Sequence, residues 1–141
     1  MGTIIWGSCL ETGNEEIDEQ HRTLVATFNR LCAAVDREAP RIEELEGILN
    51  FLRDFTLVHF QREQELMVQC GYPLEAEHRR LHSELAEQIE ALLDAFHQGA
   101  TTLSPVTLDY LDDWLSRHIR EEDVRLADFL KQAQAQARGT S

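Results

Sequence analysis

Apolar residues recur at steps of three and four along four separate stretches of the chain, the period of one face of an α-helix. The first stretch is striped by Ile17, Leu24, Phe28, Leu31 and Val35, and the second, after Pro40, by Leu45, Ile48, Leu49, Leu52, Phe55 and Met67. A third carries Leu85, Ile89, Leu92 and Phe96, and a fourth Leu111, Trp114, Leu115, Ile119, Leu126, Phe129 and Leu130. The pattern predicts helices over about 18–37, 41–70, 73–98 and 105–131. Four amphipathic helices with short connections make an all-α, up-down-up-down four-helix bundle.

Local signals set the expected boundaries. Asp18 is expected to cap the first helix, Gly71-Tyr72-Pro73 to stop the second and start the third, and Ser104-Pro105 to open the fourth. Residues 1–16 have no helical period, so an extended N-terminal arm anchored by Ile4, Ile5 and Trp6 is expected. The polar stretch 132–141 has no apolar face and is expected to fray. All 141 residues should form one domain with a substantial core.

Histidines change the picture. His21, His59, His78, His82 and His118, five of the six, fall on the inward stripes, and every helix contributes at least one. His59 with Glu63, and His78 with His82, lie four apart and stand one above the other on a helix, each pair a two-point clamp. A buried polar group without a partner costs about 1–3 kcal/mol. Five imidazoles and a carboxylate in one core therefore suggest the ligand set of a first-row metal such as iron, zinc or manganese.

Spacing narrows the kind of centre. His78-Arg-Arg-Leu-His82 lacks the glutamate of the zinc-protease His-Glu-x-x-His helix. Ferritin-like centres want two Glu-x-x-His elements, and only Glu75-x-x-His78 fits. A haem needs one or two axial ligands rather than five. Five neutral ligands can hold two metal ions if carboxylates bridge them, and Glu63 is one candidate. The second should lie near His118. Glu122, four residues on, shares its face of an ideal helix, whereas Asp123 stands about 140° away and would need the helix to widen or kink, or the centre to be reached from its flank.

Charge and cysteines exclude other classes. With 26 acidic and 13 basic residues the formal net charge is −13, which argues against nucleic acid or an anionic membrane surface as partner. No apolar run approaches the ~18 residues of a membrane span, and the first residues lack a secretory signal, so a cytoplasmic protein is expected. Cys9, Cys32 and Cys70 are odd in number and have no Cys-x-x-Cys spacing, the usage of reduced thiols. His97 reads as a charge at a helix C-terminus, and Gln20 and Glu75 as possible outer partners of ligand imidazoles.

Asp18-Glu-Gln-His21, His59-Phe-x-x-Glu63 followed by Met67 and Tyr72-Pro73, His78-x-x-x-His82, and Trp114-Leu-x-x-His118-Ile-x-x-x-x-Asp123 together resemble the hemerythrin family, its bacterial members in particular. The resemblance spans about Trp6 to Leu130. It implies two iron ions bridged by two carboxylates and an oxo or hydroxo group. His78, His82 and His118 would complete one iron; His21 and His59 would serve the other and leave a position open for dioxygen. Glu63 and Asp123 would bridge, and Leu24, Trp114, Leu115 and Ile119 would line the dioxygen pocket. The implied function is reversible dioxygen binding without enzymatic turnover, for storage, delivery or scavenging. An oxygen or redox sensor, or a diiron enzyme acting on peroxide or nitric oxide, are the alternatives.

Overall fold

A computed structural model of the chain describes residues 4, 6, 7, 10–35, 41–98 and 105–139, except the side chains of 105, 106 and 137–139. Ile5, Cys9, Pro40 and Ser104 lie outside these residues, as does the expected helix end at Arg37. Three helices, α1 (Glu15–Val35), α2 (Ile42–Cys70) and α3 (Glu75–His97), form three rods of an up-down-up-down four-helix bundle. The fourth rod has three parts: α4 (Pro105–Arg117), a π-helical segment (His118–Asp123) and α5 (Val124–Gly139).

Three boundaries differ from expectation. Helix α1 begins three residues early because Asn14, not Asp18, is its cap: Asn14 Oδ1 accepts from Ile17 N–H at 3.0 Å, worth about 1 kcal/mol. Asp18 instead ties down the arm, its carboxylate accepting from the Thr12 backbone N–H at 2.8 Å and the Thr12 hydroxyl at 2.7 Å. Helix α3 starts at Glu75, with Pro73 in the preceding turn. The stretch expected to fray is helical to Gly139, since Ala, Gln, Lys and Arg favour helix even on an exposed segment.

The α2–α3 turn follows the sequence closely. Gly71 takes φ 67°, Tyr72 N–H donates to Met67 O at 2.9 Å and Gly71 N–H to Val68 O at 3.3 Å, the paired bonds of a Schellman motif. Met67 and Tyr72 also meet in one apolar cluster, the hydrophobic contact that accompanies this motif. The arm is held at a second point: Asn29 accepts from Ile4 N–H at 2.9 Å and donates to Ile4 O at 2.8 Å. Arg22 lies 5.2 Å over the Trp6 ring, a cation–π contact.

Among the described residues the core is in two parts. The larger gathers Leu24, Phe28, Leu52, Phe60, Leu85, Ile89, Leu115 and Ile119 with Ile4 and Leu10 of the arm. The smaller holds Ile17, Met67, Tyr72, Leu126 and Leu130. The first, second and fourth rods thus pass from one cluster to the other through a polar layer: His21 lies between Ile17 and Leu24, and Glu63 between Phe60 and Met67.

Candidate metal centre

That layer brings together all seven predicted polar residues. His21, His59, Glu63, His78, His82, His118 and Asp123 are each at most 3% exposed. They form two groups able to hold a metal ion: Glu63, His78, His82, His118 and Asp123, and His21, His59, Glu63 and Asp123. The two carboxylates are common to both. Glu63 Oε1 lies 3.1 Å from His78 Nε2 and 3.0 Å from His82 Nε2, while its Oε2 lies 3.2 Å from His59 Nε2. Asp123 divides in the same way, with Oδ1 at 3.0 Å from His78 and 3.1 Å from His118, and Oδ2 at 2.6 Å from His21.

The backbone places Asp123, and not Glu122, in the polar layer. The π segment replaces i→i+4 bonding with i→i+5 over His118–Asp123, so residues five apart come onto one face. Asp123 is fully buried against the imidazoles, whereas Glu122 borders an outer cleft with Arg117 and Glu84.

Protein partners do not account for these donors. His82 Nε2 and His118 Nε2 face each other at 3.1 Å. His21 Nε2, Glu63 Oε2 and both Asp123 oxygens lack a hydrogen-bond partner, as do Nδ1 of His21, His82 and His118. The 2.6 Å approach of His21 to Asp123 therefore lacks hydrogen-bond geometry. Donors on a first-row metal with bonds of about 2.1 Å stand about 3.0 Å apart at right angles, the spacing seen here. The donor set thus fits metal ions.

Electrostatics without metal point the same way. Burial disfavours a charged His21, but Asp123 and Glu63 outweigh it and raise its pKa to about 9. His78 likewise rises to about 9, against burial, through the same carboxylates. Burial pushes His82 down to about 4. Despite complete burial, Glu63 is held well below its ordinary value by His59, His21 and His78. Asp123 is lowered too, His118 and His21 overcoming burial and the Glu63 charge. Two carboxylates compensated by two imidazolium ions form a site that cations can enter by displacing protons.

Side chains around the layer fix the rings. His59 Nδ1–H donates to Gln20 Oε1 at 2.6 Å, which turns Nε2 toward the centre, as the sequence suggested for Gln20. Glu75 pairs with Arg79 at 3.5 Å instead. Phe60 stacks on His82 at 3.7 Å and Trp114 on His118 at 4.5 Å. Phe60 was not singled out by periodicity, although it directly follows a clamp histidine. His97 is a surface residue, 3.4 Å from Glu46.

Against the layer lies an apolar-walled cavity of about 20 Å³. Leu24, Trp114, Leu115 and Ile119 all line it, together with His21, His59, His118 and Asp123. Phe28, Thr56 and Phe60 are further wall residues that sequence reasoning missed. In the second helix Phe55, expected to face inward, is half-buried and stacked on Phe51 at 5.8 Å, while Thr56 takes the inward position.

Residues 12–130 match the family model described as the hemerythrin HHE cation binding domain. A bacteriohemerythrin of Stenotrophomonas maltophilia is 31% identical over 131 residues, 93% of this chain and 84% of that protein. Myohemerythrin-1 of Phascolopsis gouldii is 28% identical, over 86% of this chain and 89% of its own length. The crystal structure of a wild-type hemerythrin superposes with a TM-score of 0.83 at 26% identity, covering 92% of this chain and 98% of that one. With the family's model matching residues 12–130, a stretch that contains every residue of the polar layer, the chain belongs to the hemerythrin family.

Proposed function

We propose that the bundle binds dioxygen reversibly at a non-haem diiron centre held by His21, His59, Glu63, His78, His82, His118 and Asp123. The reading rests on one observation: each carboxylate presents one oxygen to the three-histidine group and the other to the two-histidine group. That is the arrangement for bridging two ions. The two-histidine side has fewer protein donors, and both of its imidazoles border the apolar cavity, whereas only His118 of the other three does so.

The irons, when bound, supply the electrons that dioxygen takes up on binding and gives back on release. The chain contributes the rest. Its histidines and carboxylates hold the ions, Gln20 orients His59, and Leu24, Trp114, Leu115 and Ile119 shape a space matched to one small molecule. Their apolar surfaces keep water out, which slows irreversible loss of electrons to solvent.

The test is iron content with the visible spectrum of the reduced protein, recorded anaerobically, in air, and after degassing. Two irons per chain with colour that appears in air and fades on degassing is the expected result. Colour that persists would favour a sensor or an enzyme, and a folded chain that takes up no iron would refute the diiron assignment.

A further inference from the structure

Away from the polar layer, α1 and α2 leave an open surface groove of about 360 Å³, walled by Glu19, Arg22, Thr23, Ala26, Arg30 and Phe51. Glu19, Thr23, Ala26 and Arg30 step by four, three and four along α1 and so form one stripe. Glu19 and Arg30 stand within about 20° of each other around the helix and about 16 Å apart along it. Phe51 is 46% exposed, and its ring stacks on Phe55 at 5.8 Å, which holds it in place with apolar surface uncovered. Exposed Val58, two turns on, extends that face of α2.

The charges at the two ends of the stripe are unused within the chain. Arg53, Arg62, Arg79 and Arg80 each have a carboxylate within 3.5 Å. Among the described residues neither Glu19 nor Arg30 has an ion-pair partner, and eleven residues of helix keep them from each other. A second copy laid antiparallel on α1 brings them together. A two-fold axis midway between Thr23 and Ala26 sets Glu19 opposite Arg30 of the second copy, Arg30 opposite its Glu19, and Thr23 over its Ala26, two small side chains that let the backbones approach. The acidic surplus of the chain does not bar this contact, because the groove carries two arginines against one glutamate. Charges farther off are screened at physiological salt over about 8 Å.

We infer that the α1–α2 face joins two copies of the chain into a symmetric dimer, with Glu19 and Arg30 paired reciprocally and Phe51 covered. A two-fold interface uses the same patch on both sides and must be complementary to itself. Opposite charges spaced evenly about a small-residue centre, beside an uncovered aromatic ring, meet that requirement. A foreign acidic helix would satisfy Arg22 and Arg30 but set like charge against Glu19. The contact needs no metal, so it stands or falls apart from the diiron reading.

Sedimentation velocity of the full chain over a range of concentrations tests it. The parent should reach twice the 16.2 kDa mass of one chain. Glu19→Arg and Arg30→Glu each set like charges opposite one another, and each should weaken the dimer about a hundredfold. An equimolar mixture of those two variants should dimerise again, because each supplies the charge the other lacks; that recovery also shows both variants to be folded. Phe51→Ser should weaken the dimer about tenfold through lost apolar contact. A parent that stays monomeric would overturn the inference and leave the face to a different partner. A mixture that stays monomeric, or an Arg30→Glu chain that dimerises as the parent does, would overturn the antiparallel pairing on which it rests.

Discussion

Gln20 on α1 and His59 on α2 are joined by a 2.6 Å hydrogen bond that fixes which imidazole nitrogen faces the centre. Outer partners of this kind set ligand orientation and basicity, and their loss commonly costs 10–100-fold in metal affinity, by about that order here. Gln20→Leu should therefore release iron to a competing chelator about tenfold more readily. Gln20→Glu, which keeps an acceptor, should retain it. Equal release from Gln20→Leu and the parent would show that packing alone holds His59.

Glu63 and His118 serve as tests of the ligand set. Glu63→Ala or His118→Ala should lose iron and stability together, because metal binding here is coupled to folding. The expected fall in melting temperature under iron-replete conditions is about 10 °C for Glu63→Ala, from breaking a buried charge cluster. Calorimetry alongside metal analysis reads both. Full occupancy at an unchanged melting temperature would remove either residue from the set.

The protonation pattern gives a signed pH dependence for the metal-free chain. His21 and His78 have folded pKa values raised to about 9, so their contribution is complete below the unfolded value of about 6.5 and is lost as pH rises through 9. His82 is lowered to about 4; its contribution is present above about 6.5 and is lost as pH falls toward 4. Metal-free stability should thus peak near pH 6.5. Metal uptake at pH 7 should release about two protons per chain, one each from His21 and His78. Titration calorimetry in buffers of different ionisation heat measures that number, and release of none would contradict the charge state assigned here.

Two glycines of α2 and its cap should respond oppositely to the same substitution. A Cβ at Gly71 or Gly47 meets nothing within 4 Å, but Gly71 sits at φ 67°. Gly71→Ala should lower the melting temperature by about 3–5 °C through left-handed backbone strain. Gly47→Ala, inside the helix, should raise it by about 3 °C. Thermal melts of the two single variants suffice to check the pair.

The bundle and the inward histidines were legible because helical period and ligand chemistry coincide: His21, His59, His78, His82 and His118 stand where apolar residues belong. The Gly71 turn was legible because its backbone demands that residue. The cap at Asn14 was not, since Asp18 also suits a helix start and only the folded arm shows that Thr12 claims its carboxylate. Thr56 escaped notice because its neighbour Phe55 better satisfies a hydrophobicity pattern, and only packing shows which of the two turns inward. Asp123 could be read from the family resemblance but not from ideal helix geometry, which favoured Glu122.

The π segment also acts as a rotary joint. One extra residue in the turn from His118 to Asp123 rotates everything downstream by about 100° relative to an uninterrupted α-helix. Leu126 and Leu130 reach the smaller apolar cluster only with that offset. The same offset carries Asp123 to the ligands, so chemistry and the closing of the bundle's far end share one mechanical setting. Deleting a single residue within the segment would unscrew both together, leaving the larger cluster and the arm in place.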